Sequence, residues 1–303
     1  MFSAYNYSRK DMLEHIIEKL EHDAGFEIVY ATHCANMVCA YIFGVDKLEL
    51  FLSSTQVVRD DEVARILAIV TAMIEQDKPL AYCLGTIPFL GVTIQIRPPI
   101  LIPRVETEWW VDHFCTYVTT LKFLQQKPIK VIDMCTGSGC IGLAILNAFK
   151  QAQCIGADIN SVACDLATIN ACATGLADRY TIVQSNLFEP FNGDAFVQQS
   201  FDFIVSNPPY ISTHEWQVLD RSVKDWEDIG ALVAADDGYA LIFKILDQAP
   251  KYLVPHAGVK QLWIELGADQ DARAVAYAYA AGYSLAEILK DQYGKDRVLV
   301  CAL

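Results

Sequence analysis

The sequence predicts an α/β protein in which a doubly wound, mostly parallel sheet follows a small helical domain. Apolar residues recur at helical spacing between residues 9 and 80, which indicates packed helices. From Ile129 onward, short apolar runs alternate with helical segments, the pattern of parallel strands joined by right-handed crossovers. A glycine-rich turn joins the first of these runs to its helix. At 303 residues, the chain has room for one large and one small domain.

The first 85 residues predict a bundle of amphipathic helices. Three stripes of apolar residues recur at i, i+3 and i+4, which places each stripe on one helix face. The second stripe ends near Gly44 and the third ends before Pro79, and both residues commonly stop helices. The stripes are Met12, Ile16, Ile17 and Leu20, then Ala35, Val38, Cys39 and Ile42, then Val63, Ile66, Leu67, Val70 and Ile74. We therefore expect an N-terminal helical domain over residues 1–85.

Residues 86–103 predict a β-hairpin that links the helical domain to the sheet. Apolar and polar side chains alternate from Val92 to Ile96, as on a half-buried strand, and Pro98-Pro99 then interrupts the pattern. The remaining residues, 104–303, are expected to form the larger domain.

The larger domain is expected to open with a helix that begins near Arg104 and leads to about Phe123. Glu106 and Glu108 near its start favour the helix dipole. The apolar runs that follow have the length of strands and are bounded by turn residues. Strands are predicted at 129–133, 153–158, 180–184, 201–206, 259–266 and 296–302, with another around 283–288.

The most informative stretch is Asn207-Pro208-Pro209-Tyr210, which follows the apolar run 201–206. Two successive prolines fix φ and have no N–H, so the turn offers carbonyl acceptors and few donors. Asn207 adds a side-chain carbonyl. A planar –NH₂ group suits such a pocket, because both of its hydrogens can be held while its nitrogen faces outward. The four residues are therefore the predicted catalytic turn of an amino methyltransferase, with a plain Asn-Pro turn as the alternative.

A second motif predicts where a methyl donor binds. Asp133-Met134-Cys135-Thr136-Gly137-Ser138-Gly139 connects a strand to a helix, and its glycines let the backbone pass close to a ligand. Asp158 ends the next strand, where an acid commonly holds ribose hydroxyls. The spacing Gly137-x-Gly139-x-x-Gly142 also fits a dinucleotide site. A dehydrogenase, however, has no evident use for a proline-locked acceptor turn, so we favour S-adenosylmethionine over NAD.

These motifs resemble those of the HemK/PrmC-type protein-(glutamine-N5) methyltransferases, which modify the glutamine of the Gly-Gly-Gln motif in class I peptide release factors. The Asn-Pro-Pro-Tyr turn alone is shared with adenine and guanine amino methyltransferases. A second segment makes the resemblance specific to methyltransferases that act on glutamine. It is Ile-Pro-Arg-Val-Glu-Thr-Glu, at 102–108. The matching segments span most of the chain and lie at 78–85, 100–108, 133–142, 205–211, 237–238 and 290–297.

The resemblance implies a fold and roles for particular residues. The fold is that of a class I S-adenosylmethionine-dependent methyltransferase, which is Rossmann-like with seven strands, one of them antiparallel. Asn186 and Leu187 stand where the family commonly has an acid and an aromatic against the adenine. Asn207 is expected to contact donor and substrate alike. Arg104 and Glu106 are expected to shape the substrate site, with a capping and strapping role as the alternative.

The composition argues against several other functions. The 37 acidic and 23 basic residues give a net charge of −14 with no basic stripe, which argues against direct nucleic-acid binding. The ten cysteines include no C-x-x-C pair, so they predict neither a zinc site nor disulfides. The most apolar stretch, 64–74, is too short to span a bilayer. We expect a metal-independent monomer in the cytoplasm or an organelle, which converts S-adenosylmethionine to S-adenosylhomocysteine.

Three alternatives to a release-factor methyltransferase stay open at this stage. The same turn can serve an amino methyltransferase that acts on adenine or guanine in a nucleic acid. The glutamine can belong to a ribosomal protein. The chain can also be a donor-binding scaffold without turnover. In the family, the helical domain helps to bind the release factor, and a purely stabilising role is the alternative.

Overall fold

The computed structural model describes residues 7–121, 124, 127–192 and 200–303. The chain divides into two compact units. One contains the residues up to Gly85 together with Arg221–Trp226, and the other contains Thr86–Asp220 and Glu227–Leu303. Each unit is built around its own apolar core.

The first unit is a helical bundle, as the apolar stripes predict. Its core consists of one face from each long helix, with Met12, Ile16 and Leu20 fully buried. Gly25 and Gly44 end two helices in the left-handed conformation, which glycine adopts without strain. The helices are α1 (Arg9–Ala24), α2 (Ile28–Phe43), α3 (Lys47–Leu52), α4 (Asp60–Glu75) and α5 (Leu80–Leu84).

Helix α3 was not predicted, because most of its apolar residues face solvent. Leu48, Phe51 and Leu52 are exposed, and Leu50 is buried. Asp46 nevertheless starts the helix, since its carboxylate accepts the Glu49 N–H at 2.7 Å. A periodic apolar stripe marks only a helix that buries one face, and α3 buries a single residue.

The segment Arg221–Trp226 packs with the helical unit although it is distant in sequence. The indole N–H of Trp226 donates to the Gln76 carbonyl at 3.0 Å, and its ring lies 6.3 Å from that of Tyr82. Arg221 pairs with Asp77 at 3.2 Å. These contacts tie the segment to the residues that follow α4.

The second unit begins with an antiparallel hairpin of β1 (Thr86–Phe89) and β2 (Val92–Gln95). The predicted alternation is present, since the side chains of β2 are alternately buried and exposed. Glu108 accepts the Leu90 N–H at 2.9 Å and so fixes the hairpin turn to the next helix, α6 (Val105–Thr120). That helix was expected to reach about Phe123, which lies outside the described residues.

The predicted sheet is confirmed, with seven strands among the described residues. Five neighbouring strands are parallel, and β9 is antiparallel to both of its neighbours. The order is β5-β4-β3-β6-β7-β9-β8. The strands are β3 (Lys130–Met134), β4 (Gln153–Asp158), β5 (Tyr180–Gln184), β6 (Phe203–Ser206), β7 (Leu262–Glu265), β8 (Leu285–Lys290) and β9 (Asp296–Ala302).

Helices cover both faces of this sheet. Val131 and Val205 lie in one apolar cluster, and Ile132 and Ile204 lie in another, because successive strand residues point to opposite faces. The helices after α6 are α7 (Cys140–Ala148), α8 (Ser161–Ala173), α9 (Thr213–Val218), α10 (Arg221–Lys224), α11 (Ala240–Gln248) and α12 (Asp271–Ala280), with 3-10 turns at Ala177–Arg179, Glu189–Asn192, Ile229–Ala231 and Ala249–Lys251.

The topology places a ligand site between β3 and β6. From β3 the chain continues to one side through β4 and β5, and it then returns to the other side through β6 and β7. At such a reversal, the loops after neighbouring strands diverge and leave a crevice at the carboxyl edge. In the described part of the chain, none of the helices combines the length and apolar character needed to cross a bilayer.

Candidate functional site

A cavity of about 350 Å³ lies at the carboxyl edge of the sheet, where the topology reverses. Both sequence motifs contribute to it. The turn after β3 supplies Cys135 and Gly137, β4 supplies Asp158, and the turn after β6 supplies Asn207 and Pro209. The loop after β5 adds the predicted adenine contacts, Asn186 and Leu187. Residues predicted for the donor and for the acceptor therefore border one space.

Asp158 is fixed by two backbone groups at the edge of this cavity. One carboxylate oxygen accepts the Gly137 N–H at 2.8 Å, and the other accepts the Asn160 N–H at 2.9 Å. Burial raises the pKa of Asp158, and both hydrogen bonds oppose that shift. Each carboxylate oxygen can accept a further hydrogen bond, so the group can hold a pair of neighbouring hydroxyls.

The other residues of the glycine-rich turn lie beneath it. Asp133, Thr136 and Ser138 are almost fully buried, and Gly139 is the N-cap of α7. In the described structure, these four residues are not part of the cavity wall. The motif therefore has two layers, a lining layer and a layer that supports its backbone.

Asp133 and Tyr180 form the centre of the supporting layer. One Asp133 oxygen accepts the Thr136 hydroxyl at 2.6 Å, the Tyr180 hydroxyl at 2.8 Å and the Gly142 N–H at 3.0 Å. The other oxygen has no partner among the described residues. Because the carboxyl is buried, its pKa rises to about 6. Asp133 thus ties together the two ends of the turn.

Two glycines make room for the Tyr180 hydroxyl. A Cβ added at Gly142 would lie 2.4 Å from that oxygen, and one at Gly156 would lie 2.7 Å from it. Both distances are too short for any side chain. Gly142 therefore serves close packing of helix on strand, which is the role of the third glycine in nucleotide-binding turns. Sequence reasoning missed Tyr180, which lies 44 positions from Thr136 and carries no motif of its own.

Cys135 lines the cavity with its backbone in the left-handed region, at φ +60°. Few residues other than glycine adopt this conformation. Burial strongly raises the pKa of its thiol, so the sulfur stays protonated near neutral pH. The residue is therefore a wall of the cavity and not a nucleophile.

The loop after β5 holds Leu187 against the cavity. Leu187 is buried at φ +50°, and its carbonyl accepts the Ser185 hydroxyl. Asn186 is exposed, and its amide N–H₂ donates to Glu189 at 2.7 Å. The amide oxygen of Asn186 is thereby the atom suited to accept a hydrogen bond from a ligand.

The predicted catalytic turn is fixed at both ends. The Asn207 amide N–H₂ donates to the Thr107 hydroxyl at 3.1 Å, and the Tyr210 hydroxyl donates to Glu265 at 3.2 Å. Pro208 and Pro209 between them are buried. The Asn-Pro-Pro-Tyr segment is therefore a rigid part of the second unit.

A glycine allows the end of this turn to pack closely. A Cβ added at Gly238, which has φ +88°, would lie 1.9 Å from the Tyr210 carbonyl oxygen. That carbonyl also accepts the Gln270 amide N–H₂ at 3.0 Å. The Asp237-Gly238 pair, which the sequence marked without a role, thus supports the catalytic turn from outside the cavity.

Arg104 and Glu106 stand apart from the described cavity wall. Arg104 donates to the buried Glu227 at 2.5 Å, and the Ile102 N–H contacts the same carboxylate at 3.4 Å. Burial raises the pKa of Glu227, and Arg104 opposes that shift. Glu106 is half-buried in the first turn of α6. The ion pair holds the irregular segment that leads from the hairpin into α6.

The same segment supplies the upper wall of the cavity. Ile100 and Leu101 line it together with Asp228, whose N–H donates to the Pro99 carbonyl at 2.8 Å. Asp228 also accepts the Asn160 amide N–H₂ at 3.0 Å. Sequence reasoning missed Asp228, because nothing near it in the chain suggests that it returns to the site.

Glu265 is a second missed residue, and it lies fully buried at the end of β7. Its carboxylate accepts the Thr107 hydroxyl at 2.7 Å and the Trp110 indole N–H at 2.8 Å. Burial raises its pKa, and the hydrogen bonds oppose that shift. A single acid within the apolar run 262–266 is the sequence signal that could have identified it. Over the residues described here, no group of three or more His, Cys, Asp and Glu side chains is arranged to hold a metal.

Known proteins resemble this chain in both sequence and structure. The methyltransferase small domain family model matches residues 117–229. A release factor glutamine methyltransferase of Agrobacterium fabrum is 34% identical over 267 residues, which is 88% of each chain. One of Geobacter sulfurreducens is 33% identical over 258 residues, which is 84% of each chain.

Solved structures share the fold of this chain at much lower sequence identity. The human METTL16 catalytic domain, solved in complex with a 3'UTR hairpin, superposes with a TM-score of 0.51 at 15% identity, covering 82% of this chain and 84% of that one. This similarity shows the class I methyltransferase fold alone. On the sequence relatives, of whose length the match covers 84–88%, the chain belongs to the release factor glutamine methyltransferase family.

Proposed function

We propose that this protein transfers a methyl group from S-adenosylmethionine to the side-chain amide nitrogen of the glutamine in the Gly-Gly-Gln motif of class I release factors. Family membership supports the substrate class. The observation that carries the proposal is that Asp158, suited to a ribose, and Asn207, suited to an amide, line the same cavity.

The cavity residues fit the proposed donor. Its volume of about 350 Å³ lies within the range of small-molecule sites. We expect the Asp158 carboxylate to hold the ribose hydroxyls, and Asn186 and Leu187 to contact the adenine. The backbone of Cys135 and Gly137 supplies the remaining wall. When bound, the donor supplies a methyl carbon that its positive sulfur has already activated.

The proposed catalytic turn compensates for the low nucleophilicity of the acceptor nitrogen. An amide nitrogen is a poor nucleophile because its lone pair is delocalised. The Asn207 side-chain oxygen and the Pro208 carbonyl can accept the two hydrogens of the substrate –NH₂, which orients its nitrogen. The same acceptors stabilise the partial positive charge that grows on that nitrogen. Pro209 lines the cavity, and Tyr210 holds the turn from behind through its hydrogen bond to Glu265. The methylated amide then loses its proton to water.

We further propose that the helical unit helps to recognise the release factor, and that Arg104 and Glu106 shape the approach to the catalytic turn. Arg104 acts by holding the segment that leads into α6, since Glu227 engages its guanidinium. Glu106 is half-buried and remains the better candidate for a direct contact. The enzyme is proposed to work as a monomer without a metal, in the cytoplasm or an organelle.

Transfer of labelled methyl from S-adenosylmethionine to a purified class I release factor tests this proposal. A release factor whose Gly-Gly-Gln is changed to Gly-Gly-Ala serves as the matched control. We expect label on the first protein and none on the second. Equal labelling of both proteins would show that the glutamine of the Gly-Gly-Gln motif is not the methylated residue. Label only on a ribosomal protein or a nucleic acid would refute the release-factor assignment.

A further inference from the structure

Glu265 is a buried acid for which the proposed mechanism has no direct use. It lies outside the cavity wall of the described structure and is fully buried. One carboxylate oxygen accepts hydrogen bonds from Thr107 and Trp110, at 2.7 and 2.8 Å, and the other accepts one from Tyr210 at 3.2 Å. Burying an acid is costly, so such a group commonly marks a specific task.

The partners of Glu265 fix the direction of each hydrogen bond. The indole N–H of Trp110 can only donate, and the carboxylate of Glu265 carries no hydrogen, so its shared oxygen accepts from both Trp110 and Thr107. Thr107 has a single hydroxyl hydrogen, and it is used in the bond to that oxygen. The lone pairs of the Thr107 oxygen are therefore what Thr107 presents to any other neighbour.

That neighbour is the Asn207 amide. Because Thr107 presents lone pairs, the Asn207 atom 3.1 Å away must be the N–H₂ group. The flipped amide would set two acceptor oxygens against each other. The Asn207 oxygen is consequently the amide atom that remains for a ligand. Asn207 lines the cavity, whereas Thr107 is buried behind it.

We propose that Glu265 and Thr107 are positioning residues that hold the Asn207 amide with its oxygen as the acceptor for the substrate –NH₂. This inference rests on the proposed function, because an amide substrate needs an oxygen at that place. In the flipped orientation, Asn207 would direct its own N–H₂ at the substrate N–H₂. The family motif supplies Thr107, and the end of β7 supplies Glu265, so two distant segments meet behind the catalytic turn.

Substitution of Thr107 separates its hydroxyl from its packing. Thr107→Val keeps the shape and removes the hydroxyl, whereas Thr107→Ser keeps the hydroxyl and removes a methyl group. We expect Thr107→Val to lower kcat by about tenfold. An Asn207 amide that flips freely would be correctly oriented about half of the time, a roughly twofold loss, whereas a misplaced group can cost roughly 100-fold. The expected loss lies between these two values. The donor Kd and the release-factor KM should not change. Thr107→Ser should restore most of kcat.

Two results of this comparison would overturn the proposal. One is a wild-type kcat in Thr107→Val. The other is an equal loss in Thr107→Ser, which would assign the effect to packing. Thermal unfolding of both variants shows whether a loss of kcat reflects loss of the fold.

Asn207→Asp provides a background in which there is no amide to orient. A carboxylate has no N–H₂ group, so one of its oxygens meets the lone pairs of Thr107, and Thr107→Val removes that repulsion. Adding Thr107→Val to Asn207→Asp should therefore not lower its residual rate, and the two substitutions should be strongly non-additive. The same fold-loss in both backgrounds would show that Thr107 acts independently of the amide, against the proposal.

The amide can also be observed without any substrate. The side-chain N–H₂ signal of Asn207 in a ¹⁵N spectrum is identified by its loss in Asn207→Asp. We expect slow hydrogen exchange of this group in the wild-type protein and faster exchange in Thr107→Val. Slow wild-type exchange in a protein that methylates no release factor would uphold the positioning role and refute the proposed function. An active wild type with identical exchange in Thr107→Val would refute the positioning role alone.

Discussion

Replacing Gly238 by alanine is expected to displace the catalytic turn. The new Cβ would lie 1.9 Å from the Tyr210 carbonyl oxygen and 2.6 Å from the Gln270 amide nitrogen, whereas real Cβ contacts stay beyond 3.0 Å. The turn must therefore shift by about 1 Å, a displacement that can cost an enzyme roughly 100-fold in rate. A left-handed alanine adds about 1–2 kcal/mol of backbone strain. The clash adds about 1–3 kcal/mol.

Gly282→Ala is the matched control for Gly238→Ala. Gly282 has φ +96°, close to the +88° of Gly238, and no described atom lies within 4 Å of its added Cβ. It therefore carries the backbone strain without the clash. Denaturant unfolding measures both free energies of unfolding, and methyl transfer to the release factor measures kcat. We expect kcat to fall in Gly238→Ala alone, with donor binding retained in both variants.

Equal kcat values in the two alanine variants would refute this prediction. Such a result would mean that the carbonyl of Tyr210 can move without disturbing Asn207 and the two prolines. A loss of donor affinity equal to the loss of kcat would also contradict it, because Gly238 contacts the acceptor side of the site.

Three further substitutions test separate parts of the site. Asn207→Ala should lower kcat far more than donor affinity; equal losses would contradict its role as acceptor. Asp158→Ala should mainly weaken donor binding, and unchanged affinity by calorimetry would refute the ribose assignment. Burial raises the pKa of Asp133 from 3.8 to about 6, so between these values the native state holds a proton that the unfolded chain has released. Stability from this group is therefore lost as pH rises from about 4 to 6. Wild type should lose more stability over that range than Asp133→Asn, and parallel unfolding curves would exclude the shift.

The sequence predicted the fold well because strands and long helices leave local signals. The apolar runs of the sheet are short and bounded by turn residues, so all seven strands are near their expected places. The run at 259–266 was predicted too long, since pairing is limited to Leu262–Glu265. The helix α3 was missed, because a helix that buries one residue has no periodic pattern.

The sequence identified the glycine-rich turn without separating its two layers. The motif Asp133–Gly139 was identified as a whole, yet Cys135 and Gly137 border the cavity while Asp133, Thr136 and Ser138 are buried beneath it. Which layer a residue joins depends on backbone angles such as the positive φ of Cys135. A list of residue types does not contain that information.

Local sequence patterns could not predict the hydrogen-bond network behind Asn207. Thr107 and Glu265 are 158 positions apart and meet only through the sheet order. The sequence marked Thr107 as part of a family segment and gave it no task. Its hydroxyl acquires a direction only when Trp110 and Glu265 are placed beside it.

Tandem mass spectrometry of a class I release factor, after incubation with S-adenosylmethionine and the wild-type protein, tests glutamine methylation most directly. We expect one added methyl group on the side-chain amide of the Gly-Gly-Gln glutamine, and an unmodified peptide after incubation with Asn207→Ala. An unmodified peptide in the wild-type reaction, with donor binding intact, would contradict the proposed function. So would a methyl group on any other residue of the release factor.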